Sequence, residues 1–403
     1  MNEQECNDRG VHEGPGYIDM YADHAESPEG TPGAASAAVF GMHGLGVRTR
    51  GDPVYSNASQ VELRKNVRRA IQYQNQQLMD AHYSRAPMGS GPSASMDIGV
   101  GATPASDVLT ASASRRLKHK IRKFYAGRVF LANYRPFSKC WVYDASVSLQ
   151  PGAQPVVHDA PQPTSLAICF ANRSEKSGVT ALMVSGVSDL DFFARARLLP
   201  LKAYSPVGPC GAGDPVPQAG GSDAHYVVTD GITDMALAQF RARYASDSIS
   251  KEDIFYYLYG VLHSEDCSTR YLKDLRRDPP RMPVVRRLAD FTTFCTAGRA
   301  LANLHVNYDA VPEYPVAVHM KPRPAQVSET DYWRVDQMKF GARGDRTRII
   351  YNEWIRVSGI PRAAYDYVIN ERPALVWAME SQGIKNHAAS GLRNDANRWP
   401  HGF

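Results

Sequence analysis

The feature that most constrains this chain is the run Ile254-Phe-Tyr-Tyr-Leu-Tyr-Gly-Val-Leu262, in which nine apolar positions follow one another without a break. Ser250 precedes it and Asp253 lies three residues further on, the pattern of a helix N-cap. A helix that is apolar all round keeps no face for water, so this one must be enclosed by other elements. The chain has the means to enclose it: 403 residues at 43% hydrophobic and 10% aromatic content support sizeable cores and leave room for two or three domains.

The surrounding pattern alternates short elements. From Ser59 to about Met79, Leu63, Val67, Ala70, Ile71 and Leu78 recur at helical spacing among Arg64, Lys65, Arg68 and Arg69, predicting an amphipathic helix with a basic flank. Leu166–Phe170, Ala181–Val184 and Tyr226–Val228 are apolar runs of strand length. After the central run a helix is expected over Ser268–Arg277, stopped by Pro279-Pro280. A further helix follows over about Arg287–Leu304, with Leu288, Phe291, Cys295, Gly298 and Ala302 on one stripe. Thr347–Tyr351 and Trp354–Val357 read as a hairpin around Asn352-Glu353, and Pro361 and Pro373 stand where they open short helices. Strands and helices mix without a strict βαβ rhythm, which predicts an α+β fold. Residues 1–40, rich in Gly, Pro, Ala, Ser and acids, read as a disordered lead-in, and residues 84–114 as a low-complexity linker or insertion. Those two stretches set off residues 41–83 and 115–403 as the folded parts.

The formal charge of +5 is unevenly spread. Residues 1–30 carry Glu3, Glu5, Asp8, Glu13, Asp19, Asp23, Glu26 and Glu29 against Arg9 alone, a net of −7 that leaves +12 on residues 31–403. A basic body suits a polyanionic partner better than a metabolite. Between Arg115 and Tyr143 stand Arg115, Arg116, Lys118, Lys120, Arg122, Lys123, Arg128, Arg135 and Lys139 with no acid, interleaved with Phe124, Tyr125, Phe130, Tyr134, Phe137, Trp141 and Tyr143. Cations that neutralise phosphates beside rings that pack or stack suit a nucleic-acid surface. A solvated basic helix followed by a strand with core aromatics fits the same residues. Cys6, Cys140, Cys169, Cys210, Cys267 and Cys295 are dispersed, with no Cys-x-x-Cys pair, so free thiols in a reducing cytoplasm are expected. No stretch reaches the roughly twenty apolar residues of a membrane span, and an acidic start is the opposite of a signal or transit peptide.

Complete catalytic motifs are missing. Adenine methyl transfer needs a polar Pro-Pro loop ending in an aromatic that stacks on a flipped base. The nearest string, Asp278-Pro-Pro-Arg281, lacks the ring and follows a basic helix, as a surface loop would. Gly44-Leu-Gly46 is only a fragment of a cofactor loop, and the phosphate-wrapping Gly-x-x-x-x-Gly-Lys-Ser/Thr string is absent. Asp189/Asp191 and Glu329/Asp331 lack the acid-x-Lys element of a metal-dependent nuclease and read as solvated acids. His263 reads as a capping or packing residue. There is no Gly-x-Ser-x-Gly elbow and no cysteine in an activating context.

Five ordered blocks carry a family likeness. They begin with Gly44–Asp52, Val54–Asn57 and Leu63…Asn66…Ile71–Gln76, then Tyr134-Arg-Pro-Phe137 with Lys139, Trp141 and Tyr143. Asp253–Ser264 follows, then Tyr271, Asp274–Arg276, Arg281–Pro283 and Gly298–Tyr308. The last block runs from Met338-Lys-Phe-Gly-Ala-Arg-Gly-Asp345 through Ile349–Asn352, Val357–Pro361 and Tyr365–Val368 to Asn394-Asp395 and Trp399. Together they resemble the C-terminal part of Type ISP restriction-modification enzymes, large single-chain proteins that read one asymmetric DNA site, methylate adenine and translocate before cutting. Arg50-Gly-Asp-Pro53 departs from the family's pattern.

The resemblance implies that residues 41–83 are a helical remnant of the methyltransferase C-terminal segment and 115–403 a DNA target-recognition domain. Double-stranded DNA is then the expected ligand. Arg115, Arg116, Lys118, Lys120, Arg122, Lys123, Arg135 and Lys139, with Arg276, Arg277 and Arg281, are expected to hold phosphates. Lys339, Arg343, Arg346 and Arg348 are assigned to a flexible DNA-facing loop, with an ordinary basic hairpin turn as the equal alternative. No catalytic, metal or cofactor site is expected in this chain; S-adenosylmethionine, ATP and Mg would enter only through missing parts or a separately encoded methyltransferase or helicase-nuclease partner. A subunit of a split adenine methyltransferase and a non-functional gene fragment are the alternative readings.

Overall fold

Ser250 opens the central helix as a full capping box, its hydroxyl accepting from the Asp253 amide at 3.1 Å while the Asp253 carboxylate accepts from the Ser250 amide at 3.0 Å. All nine residues Ile254–Leu262 are buried. The chain is seen here as a computed structural model that describes residues 16–21, 38–46, 53–84, 122–143, 166–174, 178–192, 196–206, 226–388 and 390–398.

In chain order the described elements begin with β1 (Tyr17–Asp19), β2 (Ser56–Asn57), α1 (Gln60–Ser84), β3 (Val129–Arg135) and β4 (Ser138–Tyr143). The middle of the chain gives β5 (Leu166–Ser174), β6 (Gly178–Ser185), β7 (Arg197–Pro200), β8 (Lys202–Pro206), β9 (Tyr226–Asp230), α2 (Asp234–Tyr244) and the central helix α3 (Lys251–Leu262). Then come α4 (Glu265–Arg270), α5 (Leu272–Leu275), β10 (Arg281–Pro283), α6 (Leu288–Val306), β11 (Ala317–Met320) and α7 (Glu329–Trp333). The C-terminal part adds β12 (Lys339–Phe340), β13 (Arg348–Ile350), β14 (Ile355–Ser358), β15 (Val368–Ile369), β16 (Arg372–Pro373), α8 (Ala374–Ser381), β17 (Ile384–His387) and β18 (Leu392–Asp395). The strands form small antiparallel sheets, so the fold is α+β as the pattern predicts.

Two glycines set how α3 is enclosed. A Cβ on Gly298 of α6 would lie 2.0 Å from the Tyr256 carbonyl oxygen, and one on Gly260 would lie 2.5 Å from that of Phe294, so the two helices cross in backbone contact. Two phenols of α3 are satisfied within the core. Tyr257 donates to the Pro283 carbonyl at 2.8 Å and accepts from the Val285 amide at 3.0 Å, and Tyr259 accepts from the Met183 amide at 2.7 Å. Leaving such a buried hydroxyl unpaired costs about 1–3 kcal/mol. The sheet β6–β5–β7 covers another side of the helices. Ile168, Phe170, Met183 and Leu199 face them, while Ala167, Cys169, Leu182, Val184 and Leu198 pack with Ile369 and Trp377 of the C-terminal part. Burial of both faces is why these strands read as unbroken apolar runs instead of alternating ones.

Helix α1 turns Leu63, Val67 and Ile71 toward Tyr55 and Tyr143, while Lys65, Arg68 and Arg69 are exposed. At the other end of the chain, β11–β14–β13–β12 forms a four-stranded sheet. Asn352 clamps its central turn, accepting from the Trp354 and Ile355 amides at 2.9 and 2.8 Å and donating to the Tyr332 carbonyl at 2.7 Å. The expected hairpin is present, as are a 3₁₀ turn after Pro361 and α8 after Pro373.

Three expectations are corrected. Inside the acidic lead-in, β1 pairs with β10, and Met20, Val39 and Phe40 are at most 1% exposed. Averaging over many acids hid these short apolar stretches. The helix expected over Ser268–Arg277 is two short helices broken at Tyr271, whose backbone leaves helical geometry as its ring packs edge-on against Tyr17. Leu288, placed on the core stripe, is exposed at the first turn of α6, whereas Phe291, Cys295, Gly298 and Ala302 are buried as predicted. The linker at 84–114 lies outside the described residues beyond Ser84.

Candidate nucleic-acid interface

A cleft of about 590 Å³ opens where the β3–β4 hairpin meets the C-terminal part. Tyr134, Arg135, Ser138 and Lys139 form one wall, the Asn370-Glu371 turn with Arg372 and Trp377 another, and Lys385 and Asn394 of the β17–β18 hairpin a third. A second hollow of about 930 Å³, lined by Gln337, Lys339, Gln382, Asn386 and Arg393, shares Glu380, Gly383 and Lys385 with the first. The two therefore adjoin at β17–β18.

That hairpin is held firmly. Asp395 is 3% exposed and pairs with Arg334 at 3.1 Å and Arg393 at 3.4 Å. Burial alone would raise its pKa, but hydrogen bonds from Asn397 and the charges of Arg334 and Arg393 hold the carboxyl below its usual value. Asn394 Oδ1 accepts from the Ala58 amide at 2.9 Å, and Asn57 donates to the Arg393 carbonyl at 3.2 Å, tying the segment before α1 to the same hairpin.

Of the predicted phosphate ligands, Arg135 and Lys139 line the first hollow and Lys339 the second. Arg135 is also an internal partner, paired at 3.1 Å with Asp189 and lying over the Tyr134 ring. Asp189 is 3% exposed, so the reading of it as a solvated acid is corrected: it anchors Arg135 and caps the Asp191 amide. Arg281 pairs with Asp19 at 3.6 Å and lies over Tyr17, while Arg276 and Arg277 are exposed at the end of α5; none of these three lines either hollow. Arg122 and Lys123 lie by the far part of α1, where the Arg122 amide donates to Asn75. Arg115, Arg116, Lys118 and Lys120 lie outside the described residues.

The Lys339–Arg348 segment is a built hairpin turn. Asp345 Oδ1 accepts from the Thr347 amide at 2.9 Å and its hydroxyl at 2.7 Å, and these bonds hold its carboxyl below the ordinary range. Arg346 lies over the rings of Phe340 and Tyr365, Arg348 pairs with Asp345, and Arg343 takes a left-handed φ of 56°. The expectation of a flexible loop gives way to its alternative, a basic turn with Arg343, Arg346 and Arg348 exposed.

The strings suspected of chemistry are structural. Asp278 accepts from the Tyr21 hydroxyl at 2.9 Å and pairs with Arg197. Gly44 exchanges both backbone hydrogen bonds with Leu198, and a Cβ on Gly46 would fall 2.5 Å from the Asp189 backbone, so these glycines serve close packing. His263 donates from Nδ1 to the Tyr259 carbonyl at 2.9 Å, a packing and capping role. Cys140, Cys169, Cys267 and Cys295 are buried and form no disulfide. Among the described residues no group of three or more His, Cys, Asp or Glu side chains is placed to hold a metal ion, and no helix is long and apolar enough to cross a membrane.

One buried polar chain went unread. The Tyr259 hydroxyl is hydrogen-bonded to Nδ1 of His305 on α6, whose Nε2 is hydrogen-bonded to the Tyr367 hydroxyl at 2.9 Å, linking the helical core to the strand that leads into the Asn370-Glu371 turn. Asn370, Glu371, Arg372, Trp377 and Lys385 were missed as well. Strands of two residues, such as β15 and β16, carry no period, and only the Pro373 helix start marked the place.

The family model of the Type ISP C-terminal specificity domain matches residues 38–402. The chain belongs to that family. Solved structures agree with the assignment. The specificity domain shares the fold of the ATP-dependent Type ISP restriction-modification enzyme LlaBIII bound to DNA, at 25% identity and a TM-score of 0.65, over 91% of this chain and 22% of that one. A nuclease-deletion mutant of the Type ISP enzyme LlaGI with a DNA substrate mimic gives 24% identity and 0.64, over 95% and 31%. The DrdV–DNA complex gives 22% and 0.66, over 92% and 34%. The chain thus spans about a fifth to a third of the length of these proteins. No curated protein matches it.

Proposed function

We propose that this specificity domain binds double-stranded DNA at one asymmetric sequence and supplies target recognition to a Type ISP restriction-modification system without a catalytic centre of its own. The observation that carries this reading is the family match over residues 38–402, in a fold shared with enzymes solved on DNA. The bases on the walls of the two adjoining hollows, Lys139, Lys339 and Lys385 among them, support it, because affinity for a duplex comes mainly from neutralised phosphates.

On this reading, methyl transfer, translocation and cleavage belong to the parts of a Type ISP enzyme outside the matched residues, joined to this domain or encoded as a partner chain. S-adenosylmethionine, ATP and Mg act there, in the cytoplasm. The test is selection of the 403-residue chain against a random-sequence duplex pool at two salt concentrations. A single enriched sequence that survives the higher salt supports the module. Retention without enrichment, lost as salt rises, rejects sequence reading by this chain alone.

A further inference from the structure

The β15–β16 hairpin carries an unusual tip. Ile369 faces Arg372 across a two-residue turn, and both turn residues, Asn370 at φ 46° and Glu371 at φ 69°, are left-handed. Such turns favour glycine at the second position, where this chain has a glutamate. The strained tip stands on a rigid base. Ile369 is 1% exposed in the core, its carbonyl accepts from Trp377 Nε1 at 2.9 Å, and Tyr367 is bonded to His305. Arg372 lies over the Trp377 ring and pairs with Glu380.

A carboxylate at such a tip has a specific chemical meaning beside phosphates. Arg135, Lys139, Arg372 and Lys385 line the same cleft as Glu371. An acid there repels a phosphate backbone but accepts from the exocyclic amino groups at base edges, that of cytosine above all, while an asparagine pairs with adenine through two hydrogen bonds. A two-stranded ribbon fits the major groove, where those groups are displayed. We propose that the Asn370-Glu371 tip reads bases in the major groove of a duplex lying across this cleft, with Lys139 and Lys385 on the flanking phosphates. This assignment rests on the reading of the chain as a DNA specificity module and names the part of it that discriminates.

The test compares duplex-pool selections by the full chain, by the double variant Asn370→Gly/Glu371→Gly, and by Lys385→Ala. Glycine suits both backbone positions, so the double variant is expected to melt no lower than the parent. It should keep the parent's salt dependence while a preference of roughly tenfold or more disappears at one or two base pairs of the selected sequence. Lys385→Ala should weaken binding to every sequence alike, with the salt slope shallower by about one and the selected sequence unchanged. If the double variant selects the parent's sequence at every position, the tip does not read bases, although the chain remains a specificity module. If the parent itself enriches no sequence, both readings fall.

Discussion

Acidification should destabilise this protein through His305, and the size of the effect follows from the structure. The ring is 8% exposed, is hydrogen-bonded at Nδ1 to the Tyr259 hydroxyl and at Nε2 to the Tyr367 hydroxyl, and packs near His263 and Phe137. No carboxylate is among these neighbours; burial, reinforced by the charge that His263 would carry, pushes its pKa down from 6.5 to about 3. The unfolded chain therefore takes up a proton below about pH 6.5 that the folded chain refuses until about pH 3, and stability declines as pH falls through that window. Each pH unit inside the window costs about 1.4 kcal/mol, so His305 alone removes about 2 kcal/mol between pH 7 and pH 5. His263, also buried with its pKa lowered, acts in the same direction. The assay is urea unfolding at pH 7, 6 and 5 for the parent and for His305→Gln, whose amide keeps an acceptor and a donor but does not titrate. Carboxylates shared by the two proteins cancel in the difference. The parent should lose about 2 kcal/mol more than the variant between pH 7 and pH 5; parallel losses would show that His305 is protonated in the fold and that the Tyr259–His305–Tyr367 chain is misread.

Three further outcomes are expected. Gly298→Ala places a methyl where only 2.0 Å separates it from the Tyr256 carbonyl, so α3 and α6 must part; the loss should reach or exceed the roughly 1–3 kcal/mol of an overpacked core, and an unchanged melting temperature would refute backbone contact there. Changing Arg343, Arg346 and Arg348 together to Ala should lower DNA affinity and reduce the salt slope with no change in the selected sequence, because these side chains are exposed on a structured turn; an unaltered slope would exclude the turn from the phosphate-binding surface. The purified chain should transfer no methyl group from labelled S-adenosylmethionine to DNA, a result that tritium incorporation would contradict.

The buried centre was readable because its signals are local. Ser250 and Asp253 are three residues apart, and the nine apolar residues after them leave no solvent face, so helix, cap and burial all follow from adjacent positions. Gly298 was placed on the correct stripe, but its opposition to Gly260 depends on two helices meeting and has no sequence signature. The same limit applies to β1, three residues long among many acids, whose partner β10 lies more than 260 residues away. Asp189 was misjudged for the same reason, since the Arg135 that neutralises it stands 54 positions earlier.

The candidate interface divides along this line. Charge composition pointed to a polyanion, and the family likeness named Arg135, Lys139 and Lys339, which line the adjoining hollows, but equally Arg281, which pairs with Asp19 outside both. What separates the two sets is where the fold carries each base, since Arg135 meets an acid as Arg281 does and still lines the first hollow, and that placement is a property of tertiary structure that a count of bases cannot express. The Asn370-Glu371 tip is the opposite case. Its discriminating feature is a backbone conformation that its sequence does not favour, imposed by Ile369 in the core and Trp377 beside it. Propensity reading fails at a strained position because the surrounding structure overrules local preference, and strain maintained at the mouth of a basic cleft is the reason to look there for function.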